Sequence, residues 1–184
     1  MDDRIAIEKC QAGETEAFNY LVRKYQSEAI GHAAAILVSH EDALDAVQQA
    51  FLDAYQALKR FDSSRRFYPW LYTILRNRCF KILASRKKNT ALSLDKVEIL
   101  EQRQNDSSST EVVILEQALH ALSAEDRELL TLKHLDGLRY DEISERLGVP
   151  AGTVMSRLYY ARKRFRDRLL WIRQAFDSQE INDE

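Results

Sequence analysis

The sequence is poor in the residues that bend or end a helix, with 5 glycines and 2 prolines among 184 residues. Long stretches carry no turn signal, which weighs against a sheet-rich fold and predicts an all-helical chain. Cysteine is equally scarce. Cys10 and Cys79 match no metal-ligand spacing and read as two reduced thiols. The four histidines, His32, His40, His120 and His134, form no ligand pair at helical spacing. No nucleophile constellation or phosphate-binding loop stands out either, so no catalytic residue, metal or cofactor is expected and the chain reads as non-enzymatic. Nor is there a signal peptide, or an apolar run approaching the length of a bilayer span. Membrane insertion is therefore not expected, and a cytoplasmic location follows as the default.

What the sequence does have is charge, segregated along the chain. The formal net charge is only -2, but residues 1–55 carry -6, 56–88 carry +9, 89–156 carry -7, 157–173 carry +6 and 174–184 carry -4. Two basic blocks on separate parts of an acidic chain suit a two-point contact with a polyanion. The acidic blocks call for another explanation, either solubility or a basic protein partner. The length suits one domain or two small ones.

The most informative stretch runs from Asp136 to Arg168. Tyr140, Ile143 and Leu147 share one helical face, Gly148 supplies a left-handed stop, and Pro150 obliges a new helix to begin. In that second helix Val154, Leu158, Ala161, Phe165 and Leu169 fall at steps of three and four. Arg157, Arg162, Lys163, Arg164, Arg166 and Arg168 take much of the remaining surface. A basic helix by itself could simply be solvated. A short helix, a glycine turn and a basic helix in tandem predict a helix-turn-helix whose second helix enters the major groove.

Read in order, the chain opens with helical spacing over Ile5 to Cys10 and Glu16 to Val38, Thr15 being the expected cap of the second. The next helix, roughly His40 to Arg60, places Glu41, Asp42 and Asp45 near its positive end. Ala43, Val47, Ala50, Phe51, Ala54, Tyr55 and Leu58 form its apolar face. A loop from Asp62 to Tyr68 carries Arg65 and Arg66 beside Phe67 and Tyr68, and Pro69 is expected to open a helix running from Trp70 to about Lys88. Aromatics interleaved with cations are what a single-strand binder needs, although an aromatic at a helix start is more often core. Residues 89–110, with weak periodicity and three consecutive serines, read as a flexible linker. Helical spacing resumes through Val112, Leu115, Leu119 and Leu122. Ser123 and Asp126 then resemble a capping box for a helix bearing Leu129, Leu130, Leu132 and Leu135.

Three motifs in this order, EDALDAVQQAFLDAY from Glu41, FYPWLYTILRN from Phe67 and YDEISERLGVPAGTVMSRLYYAR from Tyr140, resemble the extracytoplasmic-function (ECF) sigma factors, the smallest class of the sigma-70 family. The resemblance covers about residues 8 to 170. It implies two small helical domains: region 2 over 1–88, a linker over 89–110, region 4 over 111–172, and a C-terminal tail over 173–184. It further implies docking on core RNA polymerase through Asp42, Asp45, Gln48 and Phe51, with Phe51 supporting from the core. Arg65, Arg66, Phe67, Tyr68, Trp70 and Asn77 would read the promoter -10 element as single-stranded DNA, with one base flipped out. Thr153, Met155, Ser156, Arg157, Arg162 and Arg164 would read the -35 duplex. An anti-sigma protein or other regulator is a family expectation.

The chain departs from the family pattern at four places. Leu44 stands where an acidic residue is usual and Gln49 where one is frequent. Met155 replaces a common lysine or arginine, which should shift the preferred -35 sequence, and Arg139 replaces a usual serine or threonine cap. Two rival readings remain. A stand-alone helix-turn-helix regulator would leave the WLY segment and the acidic helix unexplained, and a decoy that sequesters an anti-sigma protein would suit the weakened acidic patch.

Overall fold

A computed structural model describes residues 2–92 and 110–180, in which every regular element is a helix. The chain divides into two compact units, Met1–Leu92 and Ser93–Glu184. Among the described residues no helix is long and apolar enough to cross a membrane. The expected linker lies, but for its ends, outside the described residues.

The first unit contains α1 (Asp3–Gln11), α2 (Phe18–Leu37), α3 (His40–Ala57) and α4 (Phe67–Leu92). The Asp2 side chain caps α1 by accepting from the Arg4 N–H, as an N-cap carboxylate does. Thr15 does not cap α2. It begins a 3-10 turn, Thr15–Ala17, that leads straight into the helix, and no side chain caps that end. At the other end of α2 Val38 takes a left-handed conformation with φ 69°, and its N–H closes on Ala34 O. Ser39 follows at once and its Oγ accepts from the Asp42 N–H, so α3 turns back on α2 through a corner of two residues.

Alanines let these helices approach closely. Ala43, Ala46, Ala50 and Ala54 form a buried stripe on α3, while larger side chains, Leu21, Ile36, Leu71, Tyr72 and Leu75, fill the space from α2 and α4. Phe18 meets Phe51 and Phe67 edge-on at 6.3 and 6.4 Å. Cys10 and Cys79 are both buried free thiols. The helix expected to open at Pro69 starts two residues earlier, at Phe67. Proline is tolerated inside a first turn because its missing N–H would have no intrahelical partner there.

The second unit contains α5 (Thr110–His120), α6 (Ala124–His134), α7 (Tyr140–Leu147) and α8 (Ala151–Glu180), of which α6, α7 and α8 bring together Leu132, Ile143, Val154, Leu158 and Ala161, each wholly buried, while α5 packs on α8. Ser123 caps α6 by accepting from the Asp126 N–H. The reciprocal half of the box is absent because the Asp126 carboxylate is engaged elsewhere, by Arg164. Leu135, expected to belong to α6, lies one residue past its end and is 81% exposed. The end of the chain also differs from expectation. In place of a tail from residue 173, α8 continues to Glu180, and Ile172 packs on Ile114 and Ala118 of α5 with Phe165, Leu169 and Phe176 around them.

Candidate nucleic-acid and polymerase interfaces

The turn between α7 and α8 is held by short-range bonds. Gly148 sits at φ 66°, which a residue with a Cβ resists, and its N–H reaches Ser144 O at 2.9 Å. Ser144 Oγ donates to Val149 O at 2.6 Å, and Pro150 O accepts from Thr153 and Val154 N–H groups, opening α8. At the start of α7 the Arg139 N–H donates to Glu142 Oε2 at 2.7 Å. Arginine has no acceptor of its own, so this is the half of a capping box it can make.

The candidate -35 residues do not share one environment. Met155, Ser156 and Arg157 are exposed on the early turns of α8, and Thr153 is half-buried. Arg157 makes no hydrogen bond or ion pair to any described residue, which leaves its guanidinium available. Arg162 Nε donates to His134 Nε2 at 3.2 Å, a bond that requires that imidazole nitrogen to be unprotonated. Burial first, then the charges of Arg162 and Lys133, push His134 below the usual imidazole range. Arg164 grips Asp126 with two bonds of 2.6 Å, so this cation serves to fasten α8 to α6.

In the first unit the loop before α4 is fixed from both sides. Gln11 Nε2 donates to Leu58 O and Phe61 O at 2.9 and 2.8 Å, tying α1 to the loop's entry, and Asp62 Oδ1 accepts from the Ser64 N–H. Arg65, Arg66 and Asn77 are exposed. Phe67 and Tyr68 are not, at 1% and 6%. Tyr68 Oη lies 2.7 Å from His32 Nδ1, and Phe67 lies among Phe18, Phe61 and Trp70, so neither ring is offered to a base in this state. Trp70 is half-buried with its ring 4.5 Å from Phe61. On the same helix Arg78 makes a bidentate pair with Asp53 of α3 at 2.6 and 2.7 Å, and Arg86 pairs with Asp42.

That last pair alters the acidic face of α3, because Asp42 is partly neutralised within the unit. Asp45 and Gln48 are exposed, and Asp45 is bonded to no described residue; Phe51 is 6% exposed and belongs to the core. Beside them Leu44, Leu52 and Tyr55 stand exposed along α3. With Val22, Gln26 and Ile30 of α2 they line a groove of about 480 Å³.

The family model for Sigma-70 region 2 matches residues 21–89, and that for Sigma-70, region 4 matches residues 113–165. A relative from Haemophilus influenzae, an ECF RNA polymerase sigma-E factor, is 30% identical over 92% of this chain and 96% of its own. The chain belongs to the ECF sigma factors of the sigma-70 family. The sigma-E factor of Escherichia coli strain K12 is 34% identical over 89% of this chain and 92% of its own. Among solved structures, the sigma factor RpoE from Bartonella quintana, crystallised with the anti-sigma factor NepR, superposes with a TM-score of 0.69 at 25% identity. It covers 83% of this chain and 96% of that one. CnrH, solved with the cytosolic domain of CnrY, shares the fold with a TM-score of 0.64 at 24% identity, covering 91% of this chain and 96% of its own.

For this sigma factor, α3 and all but the last three residues of α4 lie within the region 2 match, and the start of α8 lies within the region 4 match. Sequence reasoning gave Tyr159, exposed one turn after Met155, no role, and it did not join Leu44, Leu52 and Tyr55 into one surface, setting Tyr55 instead on the apolar face of α3, where it is 39% exposed. Periodicity held the signal for both. Tyr159 is off the face shared by Val154, Leu158 and Ala161, and Leu44 and Leu52 are off the alanine stripe of α3.

Proposed function

We propose that this sigma factor docks on core RNA polymerase through the α3 face, reads an opened -10 strand with the loop after Phe61 and with α4, and reads the -35 duplex with α8. The polymerase contact is centred on Asp45 and Gln48 beside the groove walled by Leu44, Leu52 and Tyr55. Apolar area there makes up for negative charge that Leu44 and Gln49 do not supply. Arg65, Arg66 and Asn77 meet the single strand, while Phe67 supports Trp70 from behind and Tyr68 is held against Tyr25 and His32. Thr153, Met155, Ser156, Arg157 and Arg162 meet the duplex.

The observation that carries this reading is the pairing, in one unit, of a basic helix with an acidic and apolar one. A regulator that binds duplex DNA alone needs only α7 and α8. The protein itself carries no catalytic step. It acts in the cytoplasm with the polymerase, and an anti-sigma protein is its expected regulator, since the Bartonella relative forms such a complex.

Co-sedimentation of the chain with core polymerase and a promoter duplex tests the assignment. The expected outcome is a ternary complex in which promoter selectivity requires all three components. Selective duplex binding with no recruitment of polymerase would favour the regulator, and binding to neither would favour the decoy.

A further inference from the structure

Met155 and Tyr159 stand one turn apart near the start of α8, 54% and 64% exposed, while Val154 and Leu158 beside them are wholly buried. At the helical repeat the two share the side turned away from the core, with Ser156 and Lys163 alongside. Gly152 lies on the same side one turn earlier. A Cβ added there would meet nothing within 4 Å, so the fold does not demand glycine, and the bare first turn lets α8 approach a groove closely. Ser156 Oγ donates to Thr153 O at 3.1 Å, so its proton is spent on the helix backbone.

An apolar pair in this place has one matching base edge. Guanine shows two acceptors in the major groove, cytosine an amino donor and adenine one of each, whereas thymine shows a 5-methyl group beside O4. A thioether offers only a weak acceptor and no donor. Pressed against guanine, adenine or cytosine, Met155 would displace water from polar groups and leave them unpaired, which costs binding energy. Against thymine it buries a methyl group.

We propose that Met155, with the Tyr159 ring as a second wall, selects a thymine in the -35 duplex through its 5-methyl group. The assignment rests on α8 being the duplex-reading helix and adds to it the chemistry of one position.

The test uses the full chain assembled with core RNA polymerase and a promoter pool randomised over the -35 segment. The preferred duplex is then remade with each thymine replaced singly by deoxyuridine, which removes only the methyl group. One replacement should weaken binding about fourfold, the scale of burying one methyl group, and should be silent in Met155→Ala. Met155→Lys should move the preference at that base pair toward guanine. Both variants change an exposed side chain, and unchanged circular dichroism checks that the helix persists. The proposal is overturned if the preferred duplex has no thymine, or if every replacement is silent in the wild-type complex. It is overturned too if the loss persists undiminished in Met155→Ala, and its disappearance in Tyr159→Ala alone would give the methyl contact to Tyr159 instead. A pool that yields no preferred -35 sequence overturns the duplex-reading assignment itself, and the thymine contact with it.

Discussion

Arg157 and Arg164 lie on one helix, seven residues apart, and differ in what already holds them. Arg157 is exposed and bonded to no described residue, whereas Arg164 makes a bidentate pair with a carboxylate that is almost wholly buried. Arg157→Ala should cost about 1 to 3 kcal/mol on a -35 duplex if it makes a bidentate base contact. Fluorescence anisotropy on specific and random duplexes checks this, and equal losses on both would make it a phosphate contact. Arg164→Ala should act on the fold instead, lowering the stability of the second unit by about 1 to 2 kcal/mol in thermal melting, since half its side chain remains in water and screens the pair. No amino-acid pattern separates these two arginines, because the partner, Asp126, is 38 residues away.

The histidines give a second residue-scale prediction. Burial comes first among the causes that hold His120 and His134 below the usual imidazole range, followed by Arg127 for the former and Arg162 and Lys133 for the latter. Folding thus disfavours the charged form of both. Their stabilising contribution is fully present above the ordinary value of about 6.5 and is lost as pH falls through the lower folded values. Melting of the second unit followed from pH 8 down to 5 should show that loss, and His134→Gln should reduce it. A melting temperature equally pH-dependent in wild type and variant would contradict the role given to His134.

Among the elements, α3 is the one whose reading the structure changed most. Its acidic start and alanine face were legible, because capping chemistry and helical period are local. The pairing of Asp42 with Arg86 and the groove against α2 were not, because both depend on which helix lies alongside. Asp45→Arg should abolish association with core polymerase in a pull-down, and Leu52→Asp should weaken it strongly, with circular dichroism unchanged in both. Retained binding in Leu52→Asp would remove the apolar part of the docking surface.

Helix ends followed the same division. Gly148 and Pro150 marked the turn before α8 from sequence alone, since each restricts its own backbone. The start of α4 at Phe67 and the continuation of α8 to Glu180 escaped notice. The first was hidden by a proline tolerated within the first turn, and the second by contacts of Ile172 with α5 that no local pattern displays.

At the scale of the whole molecule, each unit has its own core and its own basic surface, and the charge blocks of the sequence map onto them. Residues 56–88 cover the loop and most of α4, and residues 157–173 lie within α8. The region 4 motif was readable because it combines turn-forming residues, Gly148 and Pro150, with exposed polar ones, both of which sequence displays directly. Less visible was the division of labour among cations, since Arg78, Arg86 and Arg164 are bound to carboxylates of their own unit.

Run-off transcription tests the central claim most directly, using purified core polymerase with and without the protein on a duplex promoter and on the same promoter carrying a pre-melted bubble. The account predicts promoter-specific transcripts from both templates that depend on the protein, with Asp45→Arg losing both and Arg157→Ala losing more on the template with an intact -35 element than on one lacking it. Selective binding to the duplex with no transcript from either template would contradict it.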